Sequence, residues 1–276
     1  MMSRLGPSRW LVVVPMGLLA MATVYPLLFT ANVATKTRRE YILDRFSLAS
    51  TLRWDNLSTA WNSVGMGRYF LNSVIVVACA VALLLLIGSM AAFALAQVRF
   101  RGSSALALVC LTALFIPFQV IMVPLARIMA EGGLVDTYPG LVLAYVAQFL
   151  PFTVFLLTSY YRAVPTELVD AARIDGNTLY GVYRRIMLPM GAPALLSVGI
   201  LDALFCWNDV LIALLMMPSA GHRTLMVGIT SLRGQYSADI PTFAAGVLIA
   251  GLPVLVTYLF LQRQIADGVT AGATKG

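Results

Sequence analysis

Pro165-Thr166-Glu167-Leu168-Val169-Asp170-Ala171-Ala172-Arg173-Ile174-Asp175-Gly176, followed after nine residues by Ile186-Met187-Leu188-Pro189, is a polar island in an apolar chain. Pro165 suits a first helical turn, where the N–H that proline lacks would have no partner. Glu167 and Asp170 lie near the N-terminus that follows, where the helix dipole favours acids. Leu168, Ala171 and Ala172 fall at i, i+3 and i+4 and form one apolar stripe. Gly176 is placed to end the helix in a left-handed conformation. Asn177 or Thr178 can then cap a second helix through Tyr180, Val182, Tyr183 and Ile186, which Pro189 stops. Small alanines on an apolar face let another surface approach closely. The stretch therefore reads as a docking knob for a soluble partner, against the plainer alternative of a surface helix packed on its own bundle.

On both sides of the island the chain is apolar. Its 276 residues are 60% hydrophobic and 11% charged, with a mean hydropathy of +0.86. A soluble domain carries about 25% charged residues. The shortfall, with repeated apolar runs of about 20 residues, predicts a polytopic all-α membrane protein. The alternating pattern of a transmembrane β-barrel is absent. The net charge of +7 is spread over many loops, which suits anionic lipid and not nucleic acid. Cys79, Cys110 and Cys206 lie inside apolar spans and are expected to be small buried hydrophobes. With His222 as the sole histidine and no zinc-like spacing, a metal site is not expected.

Six spans are predicted: Trp10 to Val33, Tyr69 to Gln97, Ala105 to Met129, Gly140 to Tyr161, Ala194 to Met217 and Phe243 to Gln262. The first, at about 24 residues, exceeds the apolar core of a signal peptide and reads as a retained helix. Proline falls inside spans three, four and six, where neighbours re-satisfy freed carbonyls, so kinked packing or a hinge is expected. Arg99 and Arg101 crowd the loop after span two, whereas the 130–139 loop carries Glu131 and Asp136 and no Lys or Arg. By the positive-inside rule both termini, the 98–104 loop and the 162–193 loop are cytoplasmic. The expected organisation is a cytoplasmic N-terminus (1–9), a first span (10–33), an extracytoplasmic loop (34–68), a core of spans two to six (69–262) containing the polar island, and a cytoplasmic tail (263–276).

The spacing Asp170-Ala171-Ala172, three residues, Gly176, nine residues, Ile186-x-Leu188-Pro189 resembles the EAA loop of ABC-importer permeases, with Asp170 in place of the usual Glu. Further matches follow the carbohydrate-uptake branch with the shorter, six-helix subunit of the maltose-permease type. They are Asn72-Ser73, Ala91 to Ala96 before Arg99-Phe100-Arg101-Gly102, Ile116-Pro117, Val123-Pro124-Leu125, Trp207-Asn208-Asp209, Gln262-Arg263 and the Gly268 to Gly276 tail. The resemblance covers Asn72 to the end. It implies a bacterial plasma-membrane subunit that forms a pore with a second permease. It also implies that an ATPase dimer drives the pore and that an extracytoplasmic solute-binding protein feeds it.

In that family the EAA helix is a coupling helix. The resemblance thus assigns ATPase coupling to Glu167, Asp170, Ala171, Ala172, Asp175, Gly176, Ile186, Leu188 and Pro189. It assigns ATPase contact to Gly268, Gly272, Lys275 and Gly276 of the tail. The chain has no Gly-Lys pair and hence no P-loop, so it is expected to bind no cofactor and to leave ATP and Mg to the separate ATPase chain.

Asp202 and Asp209, seven residues apart, share a helix face about 10 Å apart along the axis. Acids at this depth cost about 2.5–3.5 kcal/mol and should face the bundle or a wet cavity. Trp207, Asn208 and Asp209 either line the translocation path or brace the permease pair. Gln119 and Gln148 are further path candidates or interhelical hydrogen-bonders. Arg223, Arg233, Gln235, Tyr236 and Asp239 of the 218–241 loop are placed to meet the binding protein or, equally, to form a solvated loop. Other readings are a permease of the same superfamily for glycerol 3-phosphate or a glycerophosphodiester, and a proton-coupled secondary transporter using Asp202 and Asp209.

Overall fold

A computed structural model of the chain describes residues 7–63, 65–235 and 239–273. All regular structure among them is helical, in the order α1 (Pro7–Ala34), α2 (Arg38–Leu43), α3 (Asp55–Ser63), α4 (Met66–Gln97), α5 (Ser103–Ala113), α6 (Phe118–Glu131) and α7 (Tyr138–Arg162). Then come α8 (Thr166–Ile174), α9 (Leu179–Val182), a π turn (Tyr183–Met187), α10 (Leu188–Asn208), α11 (Leu211–Met216), α12 (Leu225–Gln235) and α13 (Ile240–Ala273).

Five stretches are long and apolar enough to cross a bilayer: Leu11–Ala34, Met66–Gln97, Tyr138–Arg162, Leu179–Asn208 and Ile240–Phe260. The third expected span, Ala105 to Met129, is no continuous helix. It is the pair α5 and α6, bent by 104° at the break between them. Pro117, with φ −62° and no N–H to donate, stands at the N-cap of α6, and it bars Ile116 from the helical region. Span five is also interrupted, because α10 stops at Asn208 and α11 begins at Leu211. Pro189 does not stop the second helix of the polar island. The turn before it widens to i→i+5, with the Leu188 N–H donating to the Tyr183 carbonyl, and α9 runs through that turn into α10. A wider turn relieves the clash of a proline ring with the preceding carbonyls, so the proline is carried and not obeyed.

The chain divides into two compact units. One is built on Met1–Gly67 and Gly228–Pro253, the other on Arg68–Val227 and Val254–Gly276.

In the first unit the chain folds back after α1. Asn56 donates to the Ala34 and Lys36 carbonyls at 2.7 and 2.8 Å, closing the C-terminus of α1. Thr37 and Glu40 form a capping box at α2. The Glu40 carboxyl also takes the hydroxyl and N–H of Ser50. The Ser50 hydroxyl, then the Thr37 groups, hold that carboxyl down at about 2, so Glu40 stays ionised.

The second unit holds two apolar clusters. One joins α4, α7, α10 and α11 around Val76, Leu84, Tyr145, Cys206 and Met216. The other joins the far ends of α4 and α7 to the polar island. Close approach of α4 to α7 depends on Gly88, where a Cβ would meet Thr153 Cγ2 at 2.6 Å. Cys206 is buried as expected, but Cys79 lies on an outward face of α4 and Cys110 is half-buried. An apolar span leaves one side for lipid or another chain, so a cysteine inside it need not be covered by its own bundle.

Candidate coupling loop and intramembrane polar residues

The polar island is a helix–turn–helix clamped to the ends of α4 and α7. The last carbonyls of α7 need partners. Gln97, at the end of α4, donates through Nε2 to the Tyr161 and Val164 carbonyls at 2.7 and 3.3 Å. Pro165 sits at the N-cap of α8, one position before the helix proper. Glu167 in the first turn and Arg173 in the last both match the helix dipole.

The expected stripe of Leu168, Ala171 and Ala172 does not form one contact face. Helix α8 is rotated so that Val169 and Ala172 (6% exposed) enter the cluster of Ala92, Phe93, Tyr161 and Val182. Leu168 is left 44% exposed and Ile174 86% exposed, with Glu167, Asp170, Ala171 and Asp175 also outward. The outward face is therefore Glu167, Ala171 and Ile174, flanked by acids, while Ala172 serves as the seat. Val169 competes with Leu168 for the inward position and takes it, joining the cluster that holds Ala92 and Phe93.

Gly176 has φ +83°. Its N–H donates to the Arg173 carbonyl at 3.1 Å and the Asn177 N–H to the Ala172 carbonyl at 3.0 Å. These two bonds are the Schellman pattern that a left-handed residue permits. Of the two capping candidates, Thr178 is the cap, accepting from the Gly181 N–H at 3.1 Å. Asn177 instead donates to the Ala172 carbonyl and accepts from Arg185.

Tyr183, on the π turn, meets Ser89 of α4 hydroxyl to hydroxyl at 2.7 Å and packs on Phe93. Gly191 leaves room for Tyr161, whose ring carbon would lie 2.6 Å from an added Cβ. Ile186 and Leu188 are half-buried and Pro189 is exposed. Gln97, Ser89 and Val169 thus fix the loop without having been singled out in the sequence, and Tyr183, read there only as a member of the second helix, is its anchor on α4. Ser89 and Gln97 carried a usable signal, being polar residues inside span two.

The acids of span five both face α7. The Thr153 hydroxyl donates to Asp202 Oδ2 at 2.9 Å, and Asp202 is fully buried. The Tyr145 hydroxyl donates to Asp209 Oδ2 at 3.2 Å. Asp209 also accepts from the Ile212 and Ala213 N–H groups at 3.3 and 2.9 Å, so it restarts the helix as α11. The shared face expected from the spacing is thus a bracing against α7, made by Asp202 on α10 and by Asp209 past its end. Trp207 is buried edge-on to Phe70. Asn208 is exposed and donates to the Leu204 carbonyl. Gln119 is exposed and Gln148 half-buried. Replacing Thr153 by Val should leave the buried Asp202 short of its donor and cost about 1–3 kcal/mol. A lowered melting temperature of the purified chain checks this, and Thr153→Ser should restore most of it.

At the α4 N-terminus Asn72 accepts from the Tyr138 hydroxyl at 2.7 Å and donates to the Gly221 and Arg223 carbonyls. Asp136 takes the Ser219 hydroxyl at 2.9 Å and faces His222 Nδ1 at 3.2 Å. The Ser219 hydroxyl, foremost, holds the Asp136 carboxyl below its usual range. The start of the 218–241 loop is thus fastened to the 130–139 loop. Tyr236 and the side chains of Arg233 and Gln235 lie outside the described residues. So do Lys275 and Gly276, while Gly268 and Gly272 continue α13 as helix, with no side chain described there.

Residues 84–267 match the family described as the binding-protein-dependent transport system inner membrane component. The chain is 35% identical over 255 residues to the probable ABC transporter permease protein YurM of Bacillus subtilis, covering 92% of this chain and 85% of that one. It is 35% identical over 251 residues to the diacetylchitobiose uptake system permease protein NgcG of Streptomyces coelicolor, with coverage of 90% and 83%. It is 34% identical over 271 residues to the arabinooligosaccharides transport system permease protein AraQ of Halalkalibacterium halodurans, with coverage of 97% and 96%. A chain of a bacterial ABC transporter involved in import of the acidic polysaccharide alginate has the same fold, with TM-score 0.80 and 18% identity over 95% of this chain and 99% of that one. With the five bilayer-length helices, the bent pair α5–α6, the clamped helix–turn–helix and these matches together, the chain belongs to the binding-protein-dependent transport system inner membrane component family, as a multi-pass ABC transporter permease.

Proposed function

We propose that the chain is one pore-forming subunit of an ABC importer for di- or oligosaccharides. The observation that carries this reading is similarity over about nine-tenths of the chain to permeases named for diacetylchitobiose and arabinooligosaccharide uptake. In this reading a second permease completes the pore, and an extracytoplasmic binding protein delivers the sugar. An ATPase dimer on separate chains uses ATP and Mg. The termini and the 162–193 loop face the cytoplasm. The outward face of α8 is the part offered to the ATPase, and Gly268, Gly272, Lys275 and Gly276 follow it there.

Coupling requires that the ATPase contact this loop differently in its two states. Helix α8 is suited to transmit the difference. A push on it bears at once on α4 through Gln97 and Ser89, on α7 through Tyr161, and on α10 through the π turn. The acids of span five are engaged with α7 hydroxyls, which supports a bracing role over a proton relay.

Two measurements test the reading. Uptake in vesicles should require ATP and the ATPase chain. Uptake that survives ATPase deletion but collapses with the proton gradient would overturn it. Calorimetry on the cognate binding protein should find an oligosaccharide ligand. Binding of glycerol 3-phosphate or a glycerophosphodiester instead would move the chain to that branch.

A further inference from the structure

Residues 44–50 do not extend away from the end of α1. They run back along it. Asn32, in the last turns of α1, donates to the Ser47 carbonyl at 2.8 Å and accepts from the Ala49 N–H at 2.9 Å. The Phe46 ring packs on Phe29 at 5.8 Å, and Phe29 on Tyr25 at 6.0 Å. The apolar span of α1 reaches Ala34. At about 1.5 Å per residue, Phe29 lies about 7 Å inside that end. Phe46 is thus held at a depth the span itself occupies, yet it is 70% exposed, and Leu48 is 85% exposed.

Several backbone groups of this segment are satisfied from within. The Phe46 and Ser47 N–H groups donate to Asp44 Oδ1, and the Ser50 N–H donates to Glu40. The buried Lys36 ammonium donates to the Asp44 carbonyl at 2.8 Å and to the Ser47 hydroxyl at 3.1 Å. Non-helical backbone near hydrocarbon must be satisfied in this way. Ile42, Leu43, Leu52 and Trp54 add exposed apolar and interfacial surface. Arg38, Arg39 and Arg45 are exposed beside them, and none forms an ion pair among the described residues.

We propose that residues 38–54 form an interfacial strap that binds anionic phospholipid where α1 leaves the membrane. Phe46 and Leu48 enter the boundary between headgroups and acyl chains, and Arg38, Arg39 and Arg45 take the phosphates. Two features commit the strap to lipid. It continues the surface of a bilayer-length helix that carries an 18-residue apolar window with no buried residue, burial being confined to Val33 and Ala34 at its end. It also pairs an apolar edge with arginines, the combination that lies in a membrane interface. The inference rests on the multi-pass membrane reading and not on the solute transported.

The test uses the full chain in its assembled transporter, in nanodiscs of phosphatidylglycerol or phosphatidylcholine. The melting midpoint should be higher in phosphatidylglycerol, and the triple variant R38Q/R39Q/R45Q should lose more than half of that difference. An equal difference in the variant, or none in the unsubstituted chain, overturns the proposal. Inorganic phosphate added to phosphatidylcholine discs should leave the midpoint unmoved; a rise there would assign the arginines to free phosphate. With p-benzoylphenylalanine in place of Leu48, irradiation of native membranes should give phospholipid adducts. Adducts to the second permease or the binding protein would show that a protein covers the strap.

Discussion

Replacing Gly176 with valine should reduce solute uptake at least about tenfold while the amount of chain inserted in the membrane stays the same. A Cβ at Gly176 would meet nothing within 4 Å, so the penalty is not one of space. It comes from φ +83°. A left-handed backbone costs an ordinary L-residue about 1–2 kcal/mol, and a β-branched residue is a marked outlier there. That cost falls on the two Schellman bonds that set the angle between α8 and α9. A loss of 1–2 kcal/mol changes a two-state ratio by a factor of about 5–30. The spans are held by other contacts, so insertion should be untouched.

Asparagine supplies the control. It tolerates the left-handed region better than other side chains, so Gly176→Asn should keep most of the uptake that Gly176→Val loses. Uptake assays paired with membrane immunoblots decide the matter. Normal transport by the valine variant would sink the requirement for this turn. Equal failure of both variants would show that a side chain is excluded by a partner surface and that the backbone conformation is not the cause.

The turn was legible in the sequence because its rule is local. A glycine after a short amphipathic run, followed by Asn177-Thr178, offers few other conformations. The rotation of α8 was not legible. Leu168 and Val169 each complete an apolar pair with Ala172 or Ala171, and the choice of Val169 is made in a cluster with Ala92, Phe93 and Tyr161, residues distant in the chain. Pro189 failed as a stop signal for a similar reason. Tyr183 is anchored on Ser89 and Phe93, and the π turn that carries the proline forms around that anchor.

Asp209 shows a third case. An acid in an apolar span was visible as something needing a partner; Asp202 and Asp209 both turn to α7, though Asp209 lies past the end of α10 and not on its face. What neither glycine nor proline announced was the break itself. Asp209 makes it by capping α11 while held by Tyr145. Five of the six expected spans have a bilayer-length helix, since length and hydropathy decide them, and the third is the bent pair α5–α6. The prolines of span three announced a kink, but not that Pro117 would make it while Pro124 stays inside α6, nor its angle of 104°, because a bend is set by what the two arms pack on.

The rotation of α8 separates two roles that one stripe had merged, and two substitutions should pull them apart. Ala172 is seated among Phe93, Tyr161 and Val182. Ala172→Leu inserts three carbons into that seat, and overpacking of this kind costs about 1–3 kcal/mol. It should lower the melting temperature of the purified chain and lower uptake with it. Ile174 is 86% exposed, so Ile174→Asp should leave the melting temperature unchanged, as surface substitutions away from special features do. If the ATPase covers this face, burial of isoleucine contributes about 1.5–3 kcal/mol to docking. Its replacement by a carboxylate should then weaken ATPase co-purification about 10- to 100-fold and bring uptake close to background. A destabilised Ile174→Asp chain would mean that the residue packs within its own bundle. A stable chain with undiminished ATPase binding would move the docking surface to another face of the loop, with Leu168 and Tyr180, both exposed, the next residues to replace.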